Sequence, residues 1–276
     1  MKQPGVDVAS VLDWLRVHAA GAARRGDLQL DSRQLQAGDI FVALPGTVAG
    51  SDDGRRYLQA ARSVGASAAL VEAGGFDNAE PGLPVLPVSG LRGLLGEIAA
   101  KYYGSPSDSM QVTGVTGTNG KTSTAYWIAQ MLAHDGTPCA VLGTVGSGFP
   151  GQPLVDSALT TPDAVSLQRE VRRLRDAGAR ALAMEVSSIG LSQGRVDGMN
   201  FDVAVFTNLT RDHLDYHGTM QAYEAAKALL FEWPTLSAAV LNFDDPAGRR
   251  LAARLAGRTG AVQVIGFTAA DGGIDQ

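Results

Sequence analysis

Cysteine is nearly absent from the 276 residues: Cys139 stands alone, so no internal disulfide can form and no clustered thiolate metal site is available. A reducing, cytoplasmic setting is the simplest expectation. Charge is also sparse, with 18% Asp, Glu, Lys and Arg and a net charge of −5. That is the wrong balance for a polyanion-binding surface, so nucleic acid is not an expected partner. No apolar run is long enough to span a bilayer, and residues 1–9, with Lys2, Pro4 and Asp7 among them, lack the apolar core of a signal peptide. Membrane insertion is therefore not expected, and a soluble protein handling small ligands, expected to be monomeric, is the reading that remains.

The length exceeds what one core commonly holds, which makes two domains the default. Val8, Val11, Leu12 and Leu15 recur at helical spacing, and Ile40 to Leu44 reads as a strand. A helix pattern at 57–63, short strands at 68–71 and 85–88, and a helix at 91–103 complete a small mixed α/β unit. Gly104-Ser105-Pro106-Ser107-Asp108 then breaks the periodicity, giving expected domains 1–107 and 108–276. Beyond it strands at 112–116, 140–143, 181–185 and 203–207 alternate with helices from Lys121 and Asp163. This alternation predicts a P-loop-type, mainly parallel, doubly wound central domain. A helix at 223–231, strands at 238–242 and 262–265 and a helix at 247–256 follow. The alternation is still running where residues 269–276 read as a loop, so the central domain is expected to be truncated.

Thr113-Gly114-Val115-Thr116-Gly117-Thr118-Asn119-Gly120-Lys121-Thr122 follows an apolar strand and opens a helix, the context a phosphate loop requires. Glycines let backbone N–H groups wrap phosphate oxygens, Lys121 supplies a point charge, and the Thr122 hydroxyl is a magnesium ligand type. The glycine register is imperfect, and a plain strand-to-helix turn is the alternative. Glu185 ends an apolar strand where a P-loop protein delivers an acidic magnesium partner, although strand-end carboxylates are more often solvated. Asn208 to His217 packs ionisable groups at a strand's carboxyl end, where doubly wound sheets bind ligands. His213 is there an unusual ligand for a hard cation. Tyr223, Lys227 and Phe231 share a helix face at intervals of four, which by itself is a lysine snorkelling beside aromatics. Asp31-Ser32-Arg33 and Thr160-Thr161-Pro162 offer donors for an anionic or sugar ligand, or ordinary turn and cap chemistry.

Taken in order, Asp31-Ser32-Arg33 with Gly38 to Leu44, Thr116 to Thr122, Thr160-Thr161-Pro162, Met184 to Ser188, and Thr207 to His217 resemble the Mur ligases. Asp212 to His217 with Glu224-Ala225-Ala226-Lys227 resembles the MurE type. The resemblance implies ATP-dependent attachment of a diamino acid, meso-diaminopimelate or L-lysine, to UDP-N-acetylmuramoyl-L-alanyl-D-glutamate through an acyl phosphate. It assigns ATP to Gly117, Thr118, Asn119, Gly120, Lys121, Thr122 and Ser123, and catalysis to Lys121, Glu185, His213 and Lys227. It implies Mg2+ at Thr122 and Glu185, a second Mg2+ at His213, and Lys227 carbamylated to an oxygen-donor anion. The implied UDP-sugar site spans both domains: Ser32, Thr47, Val48, Ala49, Thr160, Thr161, Ser187, Gln193 and Arg195. Ile189 replaces a motif histidine, Gly194 separates Gln193 from Arg195, and Ser51-Asp52 lengthen the loop after Thr47. The family's amino-acid-binding third domain has no counterpart before Gln276. Alternatives are a UDP-sugar- and ATP-binding fragment that does not ligate, or a MurF-like or folylpolyglutamate-synthase-like ligase.

Overall fold

The computed structural model describes residues 7–19, 26–46, 52–77, 82–157, 159–257 and 262–269. It divides into two compact units, 1–104 with 164–169, and 105–163 with 170–276.

In the first unit, helix α1 (Val8–His18) starts at Asp7, whose carboxylate accepts the Ser10 N–H at 2.8 Å. Strands β1 (Leu28–Gln29) and β2 (Ile40–Ala43), helix α2 (Leu58–Val64), strands β3 (Ala68–Glu72) and β4 (Val85–Val88), and helix α3 (Leu91–Tyr102) follow. The four strands form a parallel sheet in the order β1-β2-β3-β4. Helices cover both faces, so the central strands are continuous apolar runs whose alternate residues face opposite layers. Ile40, Val42, Ala68 and Leu70 pack with Val11, Leu15 and Ile98. Phe41, Ala43, Ala69 and Val71 pack with Leu58 and Ala61.

The second unit contains strand β5 (Gln111–Thr116), helix α4 (Lys121–His134), and strands β6 (Cys139–Gly143) and β7 (Gly146–Gly148). Helix α5 (Ala164–Asp176) is divided, its residues 164–169 grouping with the first unit and 170–176 with the second, which continues through β8 (Ala181–Glu185), α6 (Ser188–Ser192), β9 (Val203–Phe206), α7 (Leu214–His217) and α8 (Met220–Ala228). Strand β10 (Ala238–Asn242), helix α9 (Pro246–Ala256) and strand β11 (Gln263–Phe267) complete it. Its seven-stranded sheet has the order β11-β10-β9-β5-β8-β6-β7, parallel except for β7. The chain moves one way from β5 to β6 and the other way from β9 to β10 to β11. Right-handed crossovers therefore send α4 to one face and α8 and α9 to the opposite face. Beyond α4, that first face leaves an apolar groove of about 660 Å³ lined by Ile128, Met131, Val203, Val205, Val240 and Phe267. Among the described residues no helix is long and apolar enough to cross a membrane.

Two expectations need correction. The helix expected at 223–231 is α8, three residues earlier at its start because Thr219 caps it, and Leu229–Glu232 is a separate 3-10 turn. Phe231 therefore lies outside the helix that carries Tyr223 and Lys227. The strand expected at 262–265 runs to Phe267, in register with β10.

Candidate active site

The carboxyl edges of β5, β8 and β9 bring the predicted residues of the second unit together. Gly117 leaves β5 at φ 148°, and a Cβ there would stand 1.9 Å from Thr207 Oγ1, so only glycine permits this turn. Gly120, at φ 85°, begins α4. The Thr118 N–H donates to the Asn208 carbonyl at 2.8 Å and the Asn119 N–H to Asn208 Oδ1 at 3.0 Å. These two amides are spent inside the protein. Those of Gly120 to Ser123 lie at the positive end of the α4 dipole, an arrangement that suits a phosphate.

Two lysines converge on one oxygen. Lys121 Nζ donates to the Gly117 and Thr118 carbonyls at 3.0 Å each, and Lys227 Nζ, from α8, donates to the Gly117 carbonyl at 2.7 Å. Lys227 is 2% exposed, and its Nζ lies 4.4 Å from the Tyr223 ring centroid. That ring face offsets part of the cost of burying the ammonium. Burial and then the Lys121 charge push Lys227 down to about 7. Burial also lowers Lys121, opposed by the charges of Glu185 and Asp212.

Glu185 ends β8, buried, with Oε1 accepting the Thr144 N–H at 2.7 Å and Oε2 the Thr144 hydroxyl at 3.2 Å. It fits because residue 143 is glycine: a Cβ there would be 2.1 Å from Oε1. Thr144 Oγ1 also meets Thr160 Oγ1 at 3.0 Å. Among the described residues no cluster of three or more His, Cys, Asp and Glu side chains forms a metal cage. The oxygen donors flanking Lys121, a buried carboxylate and the Thr122 hydroxyl, suit Mg2+, which binds through one or two carboxylates together with substrate phosphates.

His213 sits at φ 49°, a left-handed backbone rare outside glycine, with its ring edge-on to Tyr223 at 6.0 Å and Nε2 3.6 Å from Asp212. His217, which carried no separate role in the sequence reading, approaches Ser188 Oγ at 3.0 Å and packs 5.2 Å from the Tyr223 ring. Burial, then the charges of His213 and Lys227, lower its pKa. Tyr223 was visible only as a core aromatic, yet its hydroxyl meets Thr118 Oγ1 at 3.2 Å.

The residues of the second unit that the resemblance assigns to a UDP-sugar are linked to the same edge. Thr161 Oγ1 donates to the Glu185 carbonyl at 3.1 Å and accepts the Ser187 N–H at 3.0 Å. Ser187 Oγ caps α6 by accepting the Gly190 N–H at 3.0 Å. Arg195 holds Gln193 Oε1 at 2.9 and 2.7 Å and the Thr161 carbonyl at 2.9 Å. In the first unit, Ser32 lines a pocket of about 470 Å³ with Asp31, Arg33, Phe41 and Tyr57. The Arg33 guanidinium holds the Asp31 carboxyl down to about 2. Thr47, Val48, Ala49 and Ser51 lie outside the described residues.

Residues 115–274 match the model of the Mur ligase middle domain. The UDP-N-acetylmuramoyl-L-alanyl-D-glutamate–2,6-diaminopimelate ligase of Ralstonia nicotianae is 54% identical over 259 residues, covering 93% of this chain and 50% of that protein. The ligase of the same name from Janthinobacterium sp. is 50% identical over 273 residues, 97% of this chain and 52% of that protein. A solved structure of a UDP-N-acetylmuramoyl-L-alanyl-D-glutamate–2,6-diaminopimelate ligase superposes with a TM-score of 0.73 at 33% identity. It covers 88% of this chain and 48% of its own. The chain thus spans about half the length of the curated relatives it matches.

Proposed function

The chain belongs to the Mur ligase family, and from that premise we propose that it forms the UDP-sugar- and ATP-binding part of a MurE-type amide ligase of peptidoglycan-precursor synthesis. Residues 1–107 act as the UDP-sugar-binding domain and 108–276 as the ATP-binding domain. The substrates are ATP, UDP-N-acetylmuramoyl-L-alanyl-D-glutamate and a diamino acid, diaminopimelate in the relatives' names. The observation that carries this reading is the phosphate loop with two lysines on the Gly117 carbonyl and the buried Glu185 beside it.

A D-glutamate carboxylate oxygen attacks the γ-phosphorus of ATP, the bond to ADP breaks, and an acyl phosphate forms. The diamino acid's amine then attacks the acyl carbon, loses a proton, and phosphate departs. Neither step needs a covalent bond to the protein, so catalysis is positioning and charge. The free amides of Gly120 to Ser123 and the Lys121 ammonium stabilise the phosphate oxygens. Thr122 and Glu185 would hold one Mg2+ and His213 would help hold a second, which would supply neutralisation of the phosphate charge. Near pH 7 a large fraction of Lys227 is free amine. An amine in that state adds to CO2 and releases a proton, which yields the carbamate oxygens as further magnesium donors.

Calorimetric titration of the chain with UDP-N-acetylmuramoyl-L-alanyl-D-glutamate, with and without Mg2+ and a non-hydrolysable ATP analogue, tests the reading. Saturable binding weakened by Arg195→Ala is expected. A folded chain that binds neither ligand refutes it. Carbamylation is read separately as a 13C resonance from labelled bicarbonate that Lys227→Met abolishes.

A further inference from the structure

The segment after β9 and the phosphate loop are laced together by one side-chain amide. Asn208 Nδ2 donates to the Asn119 carbonyl at 3.0 Å, while its Oδ1 accepts the Asn119 N–H at 3.0 Å. The carboxamide thus reproduces both halves of a strand pair on a single residue of the loop. Thr207 Oγ1 donates to the same Asn119 carbonyl at 2.7 Å. One residue on, Thr118 Oγ1 donates to the Thr210 carbonyl at 3.2 Å and accepts the Thr210 N–H at 2.9 Å. The lacing segment is itself tied to β10: Asn242 Nδ2 donates to the Thr207 carbonyl at 2.7 Å. The Leu209 N–H donates to Asp245 Oδ2, the N-cap of α9, at 2.6 Å.

Thr118 and Asn119 are the two residues between the glycines that make the turn, and both Gly117 and Gly120 have positive φ. A two-residue bridge between glycines has little rigidity of its own. Here its rigidity comes from outside, from a neighbouring strand end fastened to the next one. We propose that Asn208 is a positioning residue for bound nucleotide. Its carboxamide fixes the Thr118-Asn119 bridge so that the Gly120 to Ser123 amides keep one geometry towards phosphate. The inference rests on the nucleotide-binding reading above, and Asn208 acts through the loop without touching the ligand.

Asn119 is solvent-exposed, so water replaces the lost bonds when Asn208 is truncated and folding stability changes little. The order of the loop is what is lost. Asn208→Ala is therefore expected to weaken the non-hydrolysable ATP analogue and inorganic tripolyphosphate by the same factor, about tenfold. The ligand-free unfolding temperature should stay at the wild-type value. Amide exchange followed by NMR should quicken at Asn119. Asn208→Asp keeps the acceptor for the Asn119 N–H, so slow exchange there should be retained. It loses the donor and adds an anion near the phosphates, so affinity should still fall, and rising salt should recover part of it. Two results overturn the clamp: wild-type affinity for both ligands in Asn208→Ala, or an unchanged Asn119 exchange rate. Should Asn208→Ala not fold, the aspartate variant decides, because fast Asn119 exchange in it refutes the carboxamide contact. A wild-type chain that binds neither phosphate ligand sinks the nucleotide reading instead, and Asn119 exchange still tells whether the clamp exists.

Discussion

Gly143→Ala is the substitution for which the structure sets the clearest magnitude. The new Cβ would lie 2.1 Å from Glu185 Oε1 and 2.6 Å from Cδ and Cγ. The contact with Cγ means that rotating the carboxylate alone does not relieve the overlap. The whole side chain has to leave its place over the end of β6 and give up the Thr144 N–H at 2.7 Å. A hydrogen bond to a charged group contributes roughly 1.5–3 kcal/mol, and the Thr144 N–H left behind is only partly buried, so the bond itself sets the scale. A loss of about 2–3 kcal/mol follows, or about 5–10 °C in a unit of this size. Thermal melts of the single variants and of Gly143→Ala/Glu185→Ala check it. With Glu185 cut back, the three atoms nearest the added methyl are gone, so the double variant should be no less stable than Glu185→Ala by more than a few tenths of a kcal/mol. Strict additivity would mean that Gly143 does not make room for Glu185. The same single variant should also lose the magnesium dependence of nucleotide binding.

The lowered Lys227 value has a direct consequence for pH. Between about 7 and 10.5 the unfolded chain binds a proton that the folded chain does not, so stability should rise with pH through that window. Lys227→Met should flatten the rise, read as urea midpoints from pH 7 to 10; an identical slope refutes the assignment. Cys139 is buried and its thiol is pushed up to about 11 by burial, so a disulfide reagent should react with it only after urea unfolding. Rapid native labelling would contradict the packing of β6. Thr219 Oγ1 accepts the Ala222 N–H at 3.1 Å and caps α8, so Thr219→Ala should cost about 1 kcal/mol in chemical denaturation. Nucleotide affinity should persist, since Lys227 sits at the other end of that helix.

The elements most legible in the sequence are those whose surroundings are uniform. Ile40 to Ala43 and Ala181 to Glu185 are buried on both faces, and a strand in that situation is simply an unbroken apolar run. The phosphate loop is legible for a different reason: its glycines are required by backbone geometry, so they stand in the sequence at the positions where the chain turns. Strand β7, Gly-Ser-Gly, carries no propensity at all and exists because Leu142 and Val141 offer it an edge. The end of α8 is hidden in the sequence because periodicity continues through Leu229 to Glu232 although the backbone tightens there.

The site shows the same division between local and distant causes. Lys121, Thr122 and Glu185 are readable because each sits at the end of its own strand or the start of its own helix, a position defined by neighbouring residues. Lys227 reaches the Gly117 carbonyl across 110 residues, and nothing in its spacing from Tyr223 and Phe231 announces that acceptor. Order of motifs, not chemistry, singled it out. The electrostatics follow only from the fold: burial, and then the charge of Lys121 on the same carbonyl, raises the cost of ionising Lys227, while burial raises it for Lys121. A triphosphate at this edge would offset that cost, and carbamylation would replace the Lys227 ammonium with an anion. On the proposed reading the arrangement of Lys121 and Lys227 is explained by the charge it would receive, while Asn208 and Thr207 would supply the rigidity that two lysines on a glycine turn do not.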